Sequence, residues 1–221
     1  MPQWVKVMIG IALLPPCMGL VGALARVLAF SSHATPFWVP AAAGAACWFS
    51  VYVLLPKPML VYVFGHELTH ALWTWLFGGR VKRFKVGARG GHVLITKSNS
   101  LIALAPYFFP IYVALTALLF AAGHLLWNWK PYLVWFHLLL GASYAFHVTL
   151  TFHALKTEQT DITSQGYFFS AVVIVFGNLL ALLLGLAVLM DVGLLHSVRW
   201  WAQETAGVLL RLSELLAGRS R

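Results

Sequence analysis

The chain has 221 residues, of which 61% are hydrophobic and only 10% are charged, and its mean hydropathy is +0.82. That composition excludes an ordinary soluble domain and predicts an integral membrane protein. The formal net charge of +9 would suit a nucleic-acid-binding protein, but six of the 15 basic residues fall in one short connection, so we expect no nucleic-acid partner. Those six are Arg80, Lys82, Arg83, Lys85, Arg89 and Lys97.

Stretches of about 20 apolar residues, the length needed to cross a bilayer, recur along the whole chain. They cover residues 5–30, 37–55, 58–77, 101–122, 131–155 and 167–190. The first could be a signal peptide, because Lys6 precedes an apolar run and Ala23-Leu24-Ala25 resembles a cleavage site, but its length favours a retained span. The sequence therefore predicts an all-α polytopic membrane protein with about six transmembrane helices in contact with the lipid bilayer.

The chain divides into a predicted membrane-embedded domain, residues 1–190, and a tail, residues 191–221. In the tail, leucines share one helical face while Arg199, Arg211 and Glu214 lie on the other. This pattern predicts a C-terminal amphipathic helix that lies on the membrane surface.

The basic connection, residues 80–98, predicts a small β-hairpin. Its segments VKRFKVG and GHVLITK favour β-strands, and ARGG between them suits a turn. By the positive-inside rule the hairpin is cytosolic. Its edge could pair with an extended peptide, or the hairpin could only seal the cytosolic face.

An H-E-x-x-H pattern lies in the third apolar stretch, within YVFGHELTHALWTWLFGGR. His66 and His70 are four residues apart, so one helical face presents both imidazoles to a metal ion. Glu67 lies about 100° around the helix from His66, where it can act as a general base. Polar side chains within a membrane cost several kcal/mol unless they face protein, water or metal, so this pattern indicates function.

A catalytic zinc usually has three protein ligands, and the carboxylates of this chain are few. They are Glu67, Glu158, Asp161, Asp191, Glu204 and Glu214. Asp161 suits the third position best, in the first turn of an extended sixth span, although an ordinary helix cap would also explain it. Glu158, His147 and His153 stay open as alternatives, and either histidine could instead stabilise an oxyanion.

These residues resemble the site-2 protease family of intramembrane zinc metalloproteases, in its compact form without a PDZ domain. The resemblance rests on His66-Glu67-Leu68-Thr69-His70, on FGGRV at the helix end, and on a basic β-prone connection followed by a downstream aspartate. It covers roughly residues 58–190, the predicted catalytic core.

The resemblance implies that His66, His70 and Asp161 bind one Zn²⁺ per chain and that Glu67 activates a zinc-bound water. The implied reaction is hydrolysis of peptide bonds in transmembrane protein substrates, within or near the bilayer. The expected location is a bacterial inner membrane, with the site open to the cytosol. Nothing in the sequence identifies the substrate-binding residues.

The main alternative is a zinc-binding membrane protein without protease activity, such as a transporter or a pseudoprotease. Another is a protease whose third ligand is Glu158, and a third is a helical scaffold without metal. Glu67 favours a protease, because a purely structural zinc site needs no carboxylate beside its first histidine.

Overall fold

The computed structural model describes residues 1–87 and 90–218. Within that part of the chain the structure is helical apart from one two-stranded antiparallel sheet. In chain order the elements are α1 (Gln3–Phe30), α2 (Thr35–Leu54), α3 (Met59–Leu76), β1 (Val81–Gly87), β2 (Gly90–Ile95), α4 (Ser100–Phe108), α5 (Ile111–Trp127), a 3-10 turn (Lys130–Tyr132), α6 (Leu133–Ala154), α7 (Thr160–Thr163), α8 (Tyr167–Leu189) and α9 (Leu194–Leu216).

Four helical segments in the described residues are long and apolar enough to cross a membrane. They are α1, α2, α8 and α6 together with the 3-10 turn before it. These segments coincide with four of the predicted spans. Helix α3 is not among them, because the polar side chains of its H-E-x-x-H pattern lower its hydropathy. The predicted number of six spans is therefore not confirmed.

The predicted span 101–122 is a pair of helices, α4 and α5, bent by 74° relative to each other. The break has a local cause in Phe109 and Pro110. Phe109 is extended, with φ −97° and ψ 108°, as expected of a residue that precedes proline. Pro110 has no N–H with which to continue α4, but it suits the start of α5. The pair counts as a fifth span if both helices cross together.

The chain forms two compact units, and the first comprises Thr35–Asp161. In this unit α2 packs along α6, while α3 packs against α4, α5 and the hairpin. The backbones of α2 and α6 touch at two glycines. A Cβ atom on Gly44 would lie 1.9 Å from the Leu138 carbonyl oxygen, and one on Gly141 would lie 1.9 Å from the Ala41 carbonyl oxygen. A larger residue at either position would separate the two helices.

The second unit comprises Met1–Ala34 and the chain from Ile162 onward. Its helices α8 and α9 both pack against α1. The Trp201 indole N–H donates to the Pro16 carbonyl oxygen at 3.0 Å, and Arg26 pairs with Glu204. The tail therefore contains a helix that contacts α1, and its predicted position on a membrane surface stays a prediction.

The predicted hairpin is present as β1 and β2, with Phe84 opposite Val93 and Lys85 opposite His92. The register shifts between Val81 and Arg83, so Lys82 is an extra residue in β1. The first two residues of the predicted ARGG turn, 88 and 89, lie outside the described residues, and its two glycines belong to β2.

Candidate metal centre

Helix α3 carries the H-E-x-x-H residues in its middle turns. It begins after Pro58, and its last residue, Leu76, is followed by Phe77 and then Gly78 with φ +69°. That left-handed conformation favours glycine and ends the helix. Proline suits the start of a helix and Gly78 suits its end, so His66 and His70 are one full turn apart on a regular helix.

His66, His70 and Asp161 come together in the first unit. Asp161 Oδ2 lies 3.4 Å from the Nε2 atom of each histidine. The three side chains offer donor atoms that all lie within 4.8 Å of one another, and among the described residues they are the group of three found at this spacing. Two residues from one helix and one from about 90 positions later thus converge on a single point.

Asp161 lies in α7 and not in an extended sixth span, so that part of the sequence prediction is wrong. Helix α7 is four residues long, and α8 begins only at Tyr167. Gly166 separates the two helices with φ +91°, which an α-helix does not contain. The backbone conformation of this glycine interrupts the helix, so α8 begins after it and Asp161 lies in the separate short helix α7.

The orientation of His70 is set by the backbone of α4. His70 Nδ1 lies 2.8 Å from the carbonyl oxygen of Ile102, which can only accept a hydrogen bond. Nδ1 therefore carries a proton, and Nε2 is the ring nitrogen that faces Asp161 Oδ2, at 3.4 Å. Within α4, the partner of the Ile102 carbonyl would be the N–H of residue 106, but Pro106 has none. The proline leaves this carbonyl available to the histidine.

Asp161 is held by a tyrosine that the sequence analysis did not single out. The Tyr107 hydroxyl, on α4, donates to Asp161 Oδ2 at 3.2 Å and lies 3.3 Å from Gln159 Oε1. Burial alone would raise the pKa of the Asp161 carboxyl, but the two adjacent imidazoles outweigh burial and hold that pKa well below its usual range. The carboxyl group is therefore ionised at neutral pH, which is the form that binds metal.

His66 is positioned by neighbouring rings. Its ring centroid lies 5.2 Å from that of Tyr107 and 6.0 Å from that of Tyr62. Its Nδ1 atom is buried and makes no hydrogen bond with the described residues. The imidazole is therefore oriented by aromatic packing on its Nδ1 side and by Asp161 on its Nε2 side, where Oδ2 lies 3.4 Å away.

The other candidate ligands lie elsewhere. Glu158 is exposed and is not part of the group. His147 is buried and borders a small cavity together with His66 and Tyr62, whereas His153 is absent from that lining. Of the two histidines considered for oxyanion stabilisation, His147 therefore shares a cavity with His66 and His153 does not, and neither belongs to the three-residue group.

Glu67 faces the hairpin. Its carboxylate accepts a hydrogen bond from the Val93 N–H of β2 and interacts electrostatically with His70 and Asp161. It is only 7% exposed. A buried carboxylate that lies close to the candidate metal ligands, and outside the three-residue group, has the position expected of a general base.

The hairpin approaches Glu67 closely because residue 91 is a glycine. A Cβ atom on Gly91 would lie 2.8 Å from Glu67 Cγ and 2.8 Å from the Lys85 carbonyl oxygen. Neither distance is compatible with the present packing. The small residue therefore fixes the separation between β2 and α3.

Gly91→Ala is expected to displace Glu67 and to lower kcat/KM, for the peptide cleavage that the resemblance implies, by about 10- to 100-fold, because misplacing a catalytic group by about 1 Å costs that much. Zinc content should stay near that of the wild type, since the three-residue group is untouched. Gly87→Ala is the matched control, because its Cβ atom would meet nothing closer than the Gly90 carbonyl oxygen at 3.4 Å. Equal activity of both variants would contradict this role for Gly91.

The donor set fits zinc. Two imidazole nitrogens and one carboxylate oxygen are ligands that Zn²⁺ prefers, and three protein ligands are usual where a site also binds water and substrate. The Nδ1–H group of His70 donates a hydrogen bond to a carbonyl oxygen, and Asp161 accepts one from the Tyr107 hydroxyl. Hydrogen bonds of this kind typically orient zinc ligands.

The site therefore has the donor set of a histidine-and-carboxylate metal centre. A family model, Peptidase M50B-like, matches residues 37–155, which is more than half of the 221 residues. The chain thus belongs to the M50B-like peptidase family, and the resemblance to site-2 proteases is confirmed. The match includes the H-E-x-x-H helix and ends before Asp161. No curated protein and no solved structure gives a significant match.

Proposed function

We propose that this protein is an intramembrane zinc metallopeptidase that cleaves peptide bonds of transmembrane proteins. The observation that carries the proposal is the convergence of His66, His70 and Asp161, with the Glu67 carboxylate buried beside them. Membership of a peptidase family and several apolar helices support the same conclusion. His66, His70 and Asp161 would hold one zinc ion, which supplies Lewis-acid activation of water and of the scissile carbonyl.

The chain's own groups perform the proton transfers. Glu67 accepts a proton from the attacking water and then delivers it to the leaving amine. The Ile102 carbonyl keeps the His70 proton on Nδ1, so this imidazole does not compete as a proton donor at Nε2. Tyr107 holds the Asp161 carboxylate in place.

The substrate is proposed to bind in extended form along the outer edge of β2. The Val93 N–H points to Glu67 and not to β1, and in an antiparallel ladder the backbone groups of alternate residues point the same way. Gly91 and Ile95 therefore present backbone groups on the same edge as Val93. A strand added there would lie beside the general base, which favours this role over a hairpin that only seals the site.

The finer topology is part of the same proposal. Helix α3 and the bent pair α4–α5 would each span the bilayer, giving six spans with α1, α2, α6 and α8. The basic hairpin would enter from the cytosolic side of a bacterial inner membrane and fold back along α3, and water would reach the site from that side. Helix α9 would lie against the membrane surface.

Metal removal tests the proposal directly. The wild-type chain, reconstituted in lipid vesicles, is expected to contain one zinc per chain and to cleave a single-span membrane peptide. Chelation should abolish cleavage, and added zinc should restore it. His66→Ala should lose both zinc and activity, because only two protein ligands remain.

Elemental analysis and peptide cleavage by mass spectrometry give the two measurements. Stoichiometric zinc without any cleavage would favour the alternative of a zinc-binding membrane protein that is not a protease. A zinc content that is the same in wild type and His66→Ala would contradict the metal site itself.

A further inference from the structure

The hairpin has two chemically different faces. Phe84 and Val93 lie opposite each other on one face, and Phe84 packs on Phe64 of α3 with ring centroids 5.9 Å apart. Because side chains alternate along a strand, Lys85 and its partner His92 lie on the other face, away from α3. Arg83, opposite Leu94, belongs to this second face as well. We define Arg83, Lys85 and His92 as the basic face.

The segment of the sequence that contains the basic face has no acidic residue to balance its positive charge. The sequence contains no aspartate or glutamate between Glu67 and Glu158. Arg83, Lys85 and His92 are all exposed, while Val93 and Ile95 on the opposite face are partly buried. The hairpin thus presents a positive surface that no acidic residue of this segment of the sequence neutralises.

The basic face lies at the level of the catalytic helix turns and not beyond the end of α3. The hairpin runs back along α3, so Gly91 meets Glu67 and Val63, and Phe84 meets Phe64. His92 is flanked in sequence by Gly91 and Val93, the two residues that contact Glu67. Lipid phosphates lie at the membrane surface, so a basic group at this level is better placed for a peptide in the site.

We propose that the basic face selects substrate segments that carry acidic side chains at alternate positions beside the scissile bond. The inference rests on the proposed function and on pairing of the substrate with β2. Alternate side chains of a paired strand point to the same face of the sheet, so every second substrate residue would lie over His92 and near Lys85. Charge complementarity there sets specificity and the rate of encounter.

The test uses the full chain in vesicles of zwitterionic lipid and three single-span peptides. The peptides differ only at three alternate positions of a Gly/Ala-rich cleavable segment, which carry glutamate, glutamine or lysine. The ratio of kcat/KM for the Glu and Gln peptides is the readout, since it cancels changes in the amount of folded enzyme. We expect a ratio of about ten, as two or three partly exposed charge pairs would give. The lysine peptide should be cleaved most slowly, and high salt should lower the ratio.

Arg83→Gln combined with Lys85→Gln should bring the ratio close to one. Lys97→Gln is the matched control, because it removes one of the connection's charges outside the paired strands, where Lys97 Nζ reaches the Phe77 carbonyl oxygen at 3.5 Å. This control should keep the wild-type ratio. A wild-type ratio near one, or a ratio that the double variant leaves unchanged, would overturn the proposal.

Binding separates this inference from the proposed protease activity. The Glu67→Gln chain should bind the fluorescent Glu peptide about tenfold more tightly than the Gln peptide, whether or not cleavage occurs. Tighter binding without cleavage by the wild type would support the basic face while contradicting the protease. Equal binding of both peptides would overturn the basic-face proposal. A second outcome would also overturn the proposal. Anionic phosphatidylglycerol could stimulate the wild type equally with both peptides, and the double variant could lose only that stimulation.

Discussion

Glu67→Gln is expected to lower kcat/KM for peptide cleavage by about 10³-fold, because a positioned general base contributes rate enhancement of that order. The amide has nearly the shape of the carboxylate but cannot accept the proton from water. Zinc content should remain at one per chain, since Glu67 is outside the group formed by His66, His70 and Asp161. Single-turnover cleavage and elemental analysis of the same preparation measure both effects.

The isosteric control for Glu67→Gln is Glu214→Gln, whose side chain is exposed on α9. It should cleave at the wild-type rate. If Glu67→Gln retained more than a tenth of the activity, Glu67 would not be the base. Loss of zinc in Glu67→Gln would instead show that the carboxylate has a structural role at the metal.

Asp161→Asn is expected to weaken zinc binding by more than about 100-fold, because even residues that only support metal ligands contribute 10- to 100-fold. The variant replaces an ionised carboxylate, 3.4 Å from both histidine Nε2 atoms, with a neutral amide. Activity should fall in proportion to bound metal. Competition with a chromophoric chelator measures the affinity, and cleavage at saturating zinc measures any remaining turnover.

Glu158→Gln provides the comparison for Asp161→Asn, since Glu158 is an exposed carboxylate three residues earlier. It should bind zinc like the wild type. The reverse result, with zinc lost from Glu158→Gln and kept in Asp161→Asn, would assign the third ligand to Glu158. That outcome would make the short helix α7 irrelevant to the metal.

The local parts of the site follow from the sequence because they depend on short-range geometry. Four-residue spacing places His66 and His70 on one helical face, and Pro58 and Gly78 delimit the helix that carries them. The hairpin follows from β-prone segments separated by glycines. Asp161 emerges from the scarcity of carboxylates rather than from any local signal, and its separate helix α7 was not predicted.

The remaining parts depend on where α4 lies relative to α3, which no short-range pattern specifies. Tyr107 is fully buried and reaches a residue 54 positions later. Ile102 contributes a carbonyl oxygen, and a carbonyl leaves no mark in a sequence. The break at Pro110 had a visible signal, but averaging hydropathy over a whole span conceals a bend within it.

The hydrogen bond between His70 and Ile102 has a consequence for how the protein tolerates substitution. A main-chain oxygen is supplied equally by every amino acid, so exchanging Ile102 for valine or leucine leaves the histidine's partner intact. The vulnerable positions are Asn99, whose side chain caps the start of α4, and Pro106, which leaves the oxygen uncommitted. Most substitutions of Ile102 therefore leave the orientation of His70 unchanged.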